Sequence, residues 1–137
     1  MYLLDTNVVS ALRRRGKMAS QALRWLNSTP AAQLYISAMT VFEIQHGIVQ
    51  LSRKSATGAA DIQEWLDDQV LVSFSRRILA IDERIACRGA KLHVGRSRID
   101  HDRILAATAM VHDLTVATRN TSDFAAFGVR LLDPFQP

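Results

Sequence analysis

Four acidic residues occupy positions where carboxylates can gather around a divalent cation. Asp5 ends the first hydrophobic run, Glu43 and Asp102 lie near predicted helix starts, and Asp123 follows a predicted strand. In a parallel sheet, the carboxyl ends of the strands and the starts of the following helices share one edge, so these side chains can meet there. Clustered carboxylates raise one another's pKa unless a cation neutralises them. Oxygen ligands without a His or Cys set favour Mg²⁺ or Mn²⁺ over zinc.

Each acid also has an ordinary structural explanation, which the sequence leaves open. Asp5 suits a helix N-cap, and Thr40 and Glu43 have the spacing of a capping box that opens a helix. Asp102 and Asp123 suit first-turn positions, where the helix dipole favours negative charge. Four acids at one edge therefore favour a cation site more strongly than any one of them does alone.

Short polar side chains stand beside the first and the last of these acids. Thr6 and Asn7 follow the first acid directly, and Thr118 and Asn120 precede the last one. Such residues suit turns and caps, and they equally suit the orientation of carboxylates and bound water. Both explanations stay open from the sequence.

The histidines are scattered along the chain, and none has the partners that a histidine metal site needs. We expect them to lie at the surface: His46, His93, His101 and His112. His101 is next to Asp102, a position from which it can contact a substrate phosphate.

The composition is that of one ordinary globular domain. The chain has 137 residues, of which 48% are hydrophobic and 22% charged. No apolar run reaches the roughly 18 residues of a membrane span, and the N-terminus lacks the layout of a signal peptide. The single Cys87 excludes an internal disulfide, which fits a cytoplasmic protein. We expect Cys87 itself to be a core residue of an amphipathic helix.

The charge balance favours a polyanionic partner. The formal net charge is +4, and the basic residues are grouped in four clusters. These are Arg13-Arg14-Arg15 with Lys17, Arg53-Lys54, Arg76-Arg77, and Arg96 with Arg98. Each cluster alone also suits a solvated loop or a helix end, where cations complement the dipole. Four clusters on a small domain favour contact with a phosphate backbone.

The hydrophobic pattern alternates between short strands and helices. The predicted strands are 2–5, 34–36, 78–81, 115–118 and 129–132. The predicted helices are 7–14, 20–27, one opened by Thr40, one through 62–70, one capped by Asp82, and one from 102, with a helical turn at 121–127. This alternation predicts the α/β class: a three-layer α/β/α sandwich around a mainly parallel sheet of about five strands.

The segments that carry the acids resemble the PIN-domain ribonucleases. Five segments match in order and spacing: LLDTN at the start, TVFEI at 40–44, DRILAATA at 102–109, TRNTSDF at 118–124, and the terminal LLDPF. The chain is similar in particular to the VapC-type toxins of bacterial toxin–antitoxin pairs, including FitB-like members. The resemblance covers essentially the whole chain, and it implies a single PIN domain over residues 1–137.

The resemblance also implies roles for individual residues. Asp5, Glu43 and Asp102 match the main metal ligands of the family, and Asp123 matches a fourth acid that acts directly or through water. The matching polar neighbours are Thr6, Asn7, Thr118 and Asn120. Glu43 or Asp123 would also help to remove a proton from the attacking water. Arg98 and His101 would be the basic residues closest to the site and would contact RNA.

One departure from the family pattern concerns the third acid. Many relatives have a proline or a small residue shortly before it, whereas this chain has a second acid, Asp100, two residues before Asp102. Asp100 is therefore a rival ligand. The distance to the following AATA segment favours Asp102.

The activity that the resemblance implies is Mg²⁺- or Mn²⁺-dependent endoribonuclease activity, possessed by a toxin that inhibits translation and growth. The implied partners are a cognate VapB-type antitoxin, a second copy of the chain in a homodimer, and an RNA substrate, tRNA among the candidates. Promoter DNA would be bound only through the antitoxin. The alternative enzyme is a PIN nuclease of RNA maturation or decay that has no antitoxin.

A non-enzymatic alternative is a phospho-acceptor receiver domain, which is also a small α/β fold with acids at one edge. Such a domain needs an acidic pair at the end of its first strand and a lysine late in the chain. This sequence has one acid at that strand and no lysine after Lys91. The pattern therefore favours the nuclease.

Overall fold

The sheet consists of five parallel strands in the order β3-β2-β1-β4-β5. The computed structural model describes residues 1–92 and 100–137. The strands are β1 Tyr2–Leu4, β2 Leu34–Ser37, β3 Ile78–Leu79, β4 Thr115–Ala117 and β5 Leu131–Leu132. The all-parallel sheet with helices packed on it confirms the predicted α/β/α class.

Helices connect the strands. They are α1 Thr6–Leu12, α2 Ser20–Ser28, α3 Ala38–Ser52, α4 Ala56–Trp65, α5 Leu71–Ser73, α6 Glu83–Lys91, α7 His101–Val111 and α8 Thr121–Phe124. A π-helical segment, Leu66–Val70, joins α4 to α5. Short 3₁₀ turns lie at Arg15–Lys17, Ala31–Gln33 and Ala125–Phe127. None of the helices in residues 1–92 and 100–137 has the length and hydrophobicity to cross a membrane.

Two hydrophobic cores hold these layers together. One core includes Leu4, Ile36 and Trp65, together with buried residues of α1, α3 and α4. The other includes Leu3, Val116 and Leu105, together with buried residues of α7 and α8. Because neighbouring residues of a strand point to opposite faces, Leu3 and Leu4 anchor the central strand in both cores.

The register of the central strands brings two predicted site residues together. β1 pairs with β4 through Leu4 and Ala117, and the ladder continues with a 2.9 Å bond from the Asp5 amide to the Ala117 carbonyl. Thr118 follows directly and donates its amide to Leu132 of β5 at 2.9 Å. The residues just after β1 and β4 are therefore neighbours at the carboxyl edge of the sheet.

The start of α3 differs from the sequence prediction. We predicted that Thr40 caps this helix and that Glu43 completes a capping box. Instead, Ser37 is the N-cap, and its hydroxyl accepts a 3.0 Å bond from the Met39 amide. The prediction was wrong because β2 runs to Ser37 and the helix begins at Ala38 without a break. Glu43 is thus in the second turn, so capping does not explain it.

Cys87 is exposed on α6, contrary to the prediction that it lies in the core. The buried residues of this helix are Ile85 and Gly89, which are four apart and share one face. Cys87 falls between them in sequence and hence on the opposite side. The predicted N-cap of α6 is confirmed, since Asp82 accepts a 3.1 Å bond from the Ile85 amide.

Part of the basic pattern is structural. Arg77 donates to the backbone carbonyls of Ala31, Leu34 and Ser73, and its guanidinium lies 5.0 Å from the centre of the Phe74 ring. This side chain joins the segments before β2 and β3. Its charge is therefore used inside the fold, and it is a weaker candidate for phosphate contact than the sequence implied.

Candidate active site

Asp5 lies at the centre of the candidate site, directly after β1. It is 7% exposed, and it occupies the N-cap position of α1, where its carboxylate accepts a 2.7 Å bond from the Thr6 amide. Burial raises the pKa of Asp5, whereas the hydrogen bonds from Thr118 and Thr6 oppose the rise and the charge of Asp123 adds to it. Asp5 therefore caps α1 and also belongs to the acidic cluster, which consists of Asp5, Glu43, Asp102 and Asp123.

Thr118 and Asn7 hold the other oxygen of this carboxylate. The hydroxyl of Thr118, which is fully buried, donates to Asp5 Oδ2 at 2.7 Å. Asn7 Nδ2 donates to the same oxygen at 3.1 Å and to Thr118 Oγ1 at 3.3 Å. The backbone amide of Asn120 also donates to Thr118 Oγ1, at 3.0 Å. Three of the four supporting residues predicted from the sequence thus form one network around Asp5.

Thr6, the fourth supporting residue, bonds Asp5 Oδ1 through its backbone amide and has a different partner for its hydroxyl. Its hydroxyl donates to Thr40 Oγ1 at 3.3 Å, and Thr40 is fully buried. This contact ties the start of α1 to the start of α3. Thr40 was predicted only as a cap, and sequence offered no signal for its actual partner.

Asp102 is the acid with the largest electrostatic perturbation in the cluster. Burial raises its pKa to about 6, and the charges of Asp5, Asp100, Asp123 and Glu43 contribute to the rise. All four predicted acids thus share one electrostatic environment. Asp102 lies in the first turn of α7, after the N-cap.

Asp100, the rival third acid, has a structural task. It is the N-cap of α7, and its Oδ1 accepts a 2.9 Å bond from the Arg103 amide. Asp102 is not the cap of α7 and lies in its first turn, where its pKa is raised by burial and by the charges of the other three acids.

Glu43 reaches the cluster from α3. Its Oε2 lies 3.4 Å from Nδ1 of His101. Its Oε1 is buried, and among the described residues no hydrogen-bond partner for that atom is found. A buried carboxylate oxygen without a partner is costly unless another group satisfies it.

Asp123 is the most exposed acid of the four. It lies in the first turn of α8, and its charge raises the pKa values of Asp5 and Asp102. Asp123 therefore faces the cluster from the rim, as an outer member.

The donor chemistry fits a hard divalent cation. The cluster offers carboxylate oxygens only, two acids have raised pKa values, and one Glu43 oxygen is buried without a partner. A cation would relieve each of these costs. Within residues 1–92 and 100–137, no three His, Cys, Asp or Glu side chains already stand close enough to bind one ion. The fit is therefore one of chemistry and charge, with side-chain adjustment needed on binding.

Comparison with known proteins identifies the family. Residues 2–129 match the model of the family described as PIN domain. The chain belongs to the PIN-domain family.

This PIN domain is similar over its full length to characterised relatives. It is 36% identical to the toxin FitB of Neisseria gonorrhoeae, with 98% of this chain and 99% of FitB aligned. It is 32% identical to the VapC ribonuclease Y4jK of Sinorhizobium fredii, with 100% and 99% aligned. The crystal structure of FitAcB from N. gonorrhoeae superposes with a TM-score of 0.87 at 34% identity, covering both chains completely. The predicted family and fold are confirmed.

A cleft of about 660 Å³ runs beside the acidic cluster of this PIN domain. It is lined by residues of α1, α3 and α4, with Glu43 on one wall and Arg13, Arg14 and Arg119 among the others. A larger hollow of about 790 Å³ shares Arg13 and Trp65 with this cleft and extends to Phe74, but none of the four acids lines it. The smaller cleft is the relevant one, since it adjoins the chemistry.

Two residues near the site were not predicted from the sequence, and three residues that carry predictions lie outside the described residues: His93, Arg96 and Arg98. Phe42 is 57% exposed beside Glu43, and its ring meets the edge of His101 and lies parallel to His46. Arg119 lines the cleft; it is part of the TRN segment, but its position gave no separate signal. Arg98, predicted to contact RNA, falls in 93–99.

Proposed function

We propose that this protein is a Mg²⁺- or Mn²⁺-dependent endoribonuclease that acts as the toxin of a VapBC-type toxin–antitoxin module. The observation that carries the proposal is the convergence of Asp5, Glu43, Asp102 and Asp123 at one sheet edge, with raised pKa values for two of them. The similarity to a toxin and to a protein named as a ribonuclease supports the choice of chemistry.

Asp5, Glu43 and Asp102 would hold the cation, and Asp123 would bind it directly or through water. When bound, the cation supplies Lewis-acid chemistry: it lowers the pKa of the attacking water and stabilises the leaving oxygen. Thr118 and Asn7 fix the orientation of the Asp5 carboxylate, and the bond from Thr118 opposes the rise in its pKa. Their contribution is made before substrate arrives, so little reorganisation accompanies the reaction.

Glu43 and Asp123 are the residues placed to take a proton from the attacking water. Glu43 has one oxygen on His101 and a second, buried oxygen without a described partner. Asp123 is exposed at the rim, where its carboxylate can exchange protons with solvent.

The proposed assembly follows the family resemblance. We expect one domain over residues 1–137, a homodimer, cytoplasmic location, and a VapB-type antitoxin that blocks the acidic pocket. We expect promoter DNA to be bound only through that antitoxin. The substrate class is RNA, with structured RNA such as tRNA as the first candidate. A PIN nuclease of RNA maturation or decay would keep the same acids and lack the antitoxin.

Cleavage of RNA by the purified protein tests the proposed activity. With Mg²⁺ or Mn²⁺ we expect cleavage, and with EDTA none. D5N should reduce the rate by roughly a hundredfold to a thousandfold, the cost of losing one electrostatic group at a reacting centre. D68N, at an exposed acid of the segment Leu66–Val70, is the matched control and should cleave like wild type.

Three results would contradict the proposal. Cleavage that persists in EDTA, or in D5N, would exclude the metal–carboxylate mechanism. Soluble expression of wild type in a bacterial host without growth arrest would contradict the toxin assignment and favour the maturation nuclease.

A further inference from the structure

Arg119 projects a cation into the cleft beside the acidic cluster. Its neighbour Thr118 holds Asp5, and the Arg119 amide donates to Asn7 Oδ1 at 3.3 Å. The backbone of Arg119 is thus part of the same network that positions Asp5. A ligand of this side chain would lie in the cleft that Glu43 also lines.

The guanidinium of Arg119 is held by an aromatic ring. Its central carbon lies 4.0 Å from the centre of the Phe135 ring, a distance at which cation–π attraction operates. Phe135 is partly buried against the first core, so its ring is a fixed support. Stacking on a ring leaves the edge of a guanidinium free to donate in its plane, which is the geometry that binds phosphate oxygens.

The charges around the cleft favour a polyanion. Arg13, Arg14 and Arg119 line it together with one acid, Glu43. Among the ion pairs found in the described part of the chain, none uses any of these three arginines. Other exposed arginines are engaged, since Arg84 pairs with Asp82 and Arg130 with Asp113. The cleft therefore concentrates cations that have no internal acid.

We propose that Arg119, supported by Phe135, binds a backbone phosphate of the RNA strand next to the one that is cut, and that Arg13 and Arg14 continue this path along the cleft. The inference rests on the proposed ribonuclease function and adds a substrate-binding site to it. Arg119 contacts substrate; Phe135 is a positioning residue that acts through Arg119.

Binding of a labelled single-stranded RNA to variants in the D102N background tests this site without cleavage. R119A should raise the dissociation constant about tenfold for RNAs of unrelated sequence, as expected for a phosphate contact. It should also make the slope of log K against log salt concentration less steep by about 0.7. This is the value expected for the loss of one phosphate contact on a single strand. R24A, at an exposed arginine of α2 outside the cleft, is the control and should change affinity less than about twofold.

Two further variants separate charge from geometry. R119K keeps the charge, so the salt slope should stay as in wild type while affinity falls about threefold because the planar fork is lost. F135L keeps an apolar side chain and should weaken binding about two- to fourfold, whereas F135Y should restore it. Thermal unfolding checks that each variant is folded.

Cleavage kinetics in the otherwise wild-type protein complete the test. R119A should raise KM and leave kcat unchanged within about twofold, since the contact is made equally in the ground and transition states. If R119A matches R24A in affinity and salt slope, the inference is wrong, and an acidic segment of a protein partner becomes the better occupant. If wild type does not cut RNA at all, the proposed function fails, which is a distinguishable result.

Discussion

The two halves of the acidic site differ in how firmly their carboxylates are held. Asp5 is buried, and both of its oxygens accept hydrogen bonds, from Thr6, Asn7 and Thr118. Glu43 and Asp102 are only half-buried, and the one ion-pair partner found for Glu43 in the described residues is His101. One half is thus fixed by the fold, whereas the other can adjust.

This difference follows from where each acid lies. Asp5 ends the central strand, so the neighbouring strand β4 delivers Thr118 to it as part of the sheet register. Glu43 and Asp102 come from helices on different sides of the sheet, and no ladder fixes their separation. We infer that the Asp5 half sets the position of the cation and that the helical half completes its coordination.

Removing the Thr118 hydroxyl should have the largest effect on the fixed half. T118V keeps the shape of this fully buried side chain but removes the 2.7 Å donor to Asp5. We expect cleavage at neutral pH to fall about 10- to 100-fold, since hydrogen bonds to charged groups contribute roughly 1.5–3 kcal/mol. The pKa of Asp5 should rise further, so the acidic limb of the rate profile should move to higher pH. A pH profile of kcat/KM measures both effects.

T118S is the matched control for this prediction. Serine keeps the donor, so it should retain activity within about fivefold and leave the acidic limb in place, despite losing a buried methyl group. If T118V and T118S behave alike, the hydroxyl does not hold Asp5 in the working enzyme, and the contrast between the two halves disappears.

Neutralising Asp102 should stabilise the metal-free protein. Its pKa is raised to about 6 from the ordinary 3.8, so the folded state binds a proton more tightly than the unfolded state does. Folding stability is therefore lost as the pH rises through this window. In EDTA near pH 7.5, D102N should gain on the order of 1 kcal/mol, less than the full shift implies because solvent screens a half-exposed carboxylate. This corresponds to a rise in Tm of about 3 °C.

The gain should vanish below pH 3.8, where Asp102 is protonated in both states. Saturating Mg²⁺ should reverse the order, because wild type then gains binding free energy that D102N lacks. Thermal unfolding in the three conditions tests this, with D61N, at an exposed acid of α4, as the control. Equal Tm values for D102N and wild type in EDTA would mean that burial and the neighbouring acids do not raise the pKa of Asp102.

From the sequence alone, residues that directly follow regular elements could be placed at the carboxyl edge of the sheet. Asp5 and Thr118 could be placed there because each directly follows a short hydrophobic strand, and parallel strands end at one edge. The class of the fold follows from the same alternation, whereas the order of the strands is known only from the structure. The motif spacings then linked these positions to a family.

What the sequence could not provide was contact between residues distant along the chain. Thr40 carries the spacing of a cap, yet Ser37 takes that role because the strand ends there. Arg119 and Phe135 are sixteen positions apart, and only the packing of the last turn against the end of β4 brings them together. Arg77 likewise looked like part of a basic cluster until its three backbone partners were located.

Removing the His101 side chain should have the smallest effect, on the adjustable half. Its imidazole lies 3.4 Å from Glu43, and both side chains are partly exposed, at 47% and 25%. Exposed ion pairs contribute about 0–1 kcal/mol, so H101A should change kcat less than about fivefold. H46A, at an exposed histidine of α3 that stacks on Phe42 and has no ion pair with Glu43 among those found in the described residues, is the control. A loss for H101A as large as that for T118V would show that Glu43 is held as firmly as Asp5, and the site would then have two fixed halves. A KM increase without a change in kcat would instead assign His101 to RNA contact, as its place beside Asp102 first indicated.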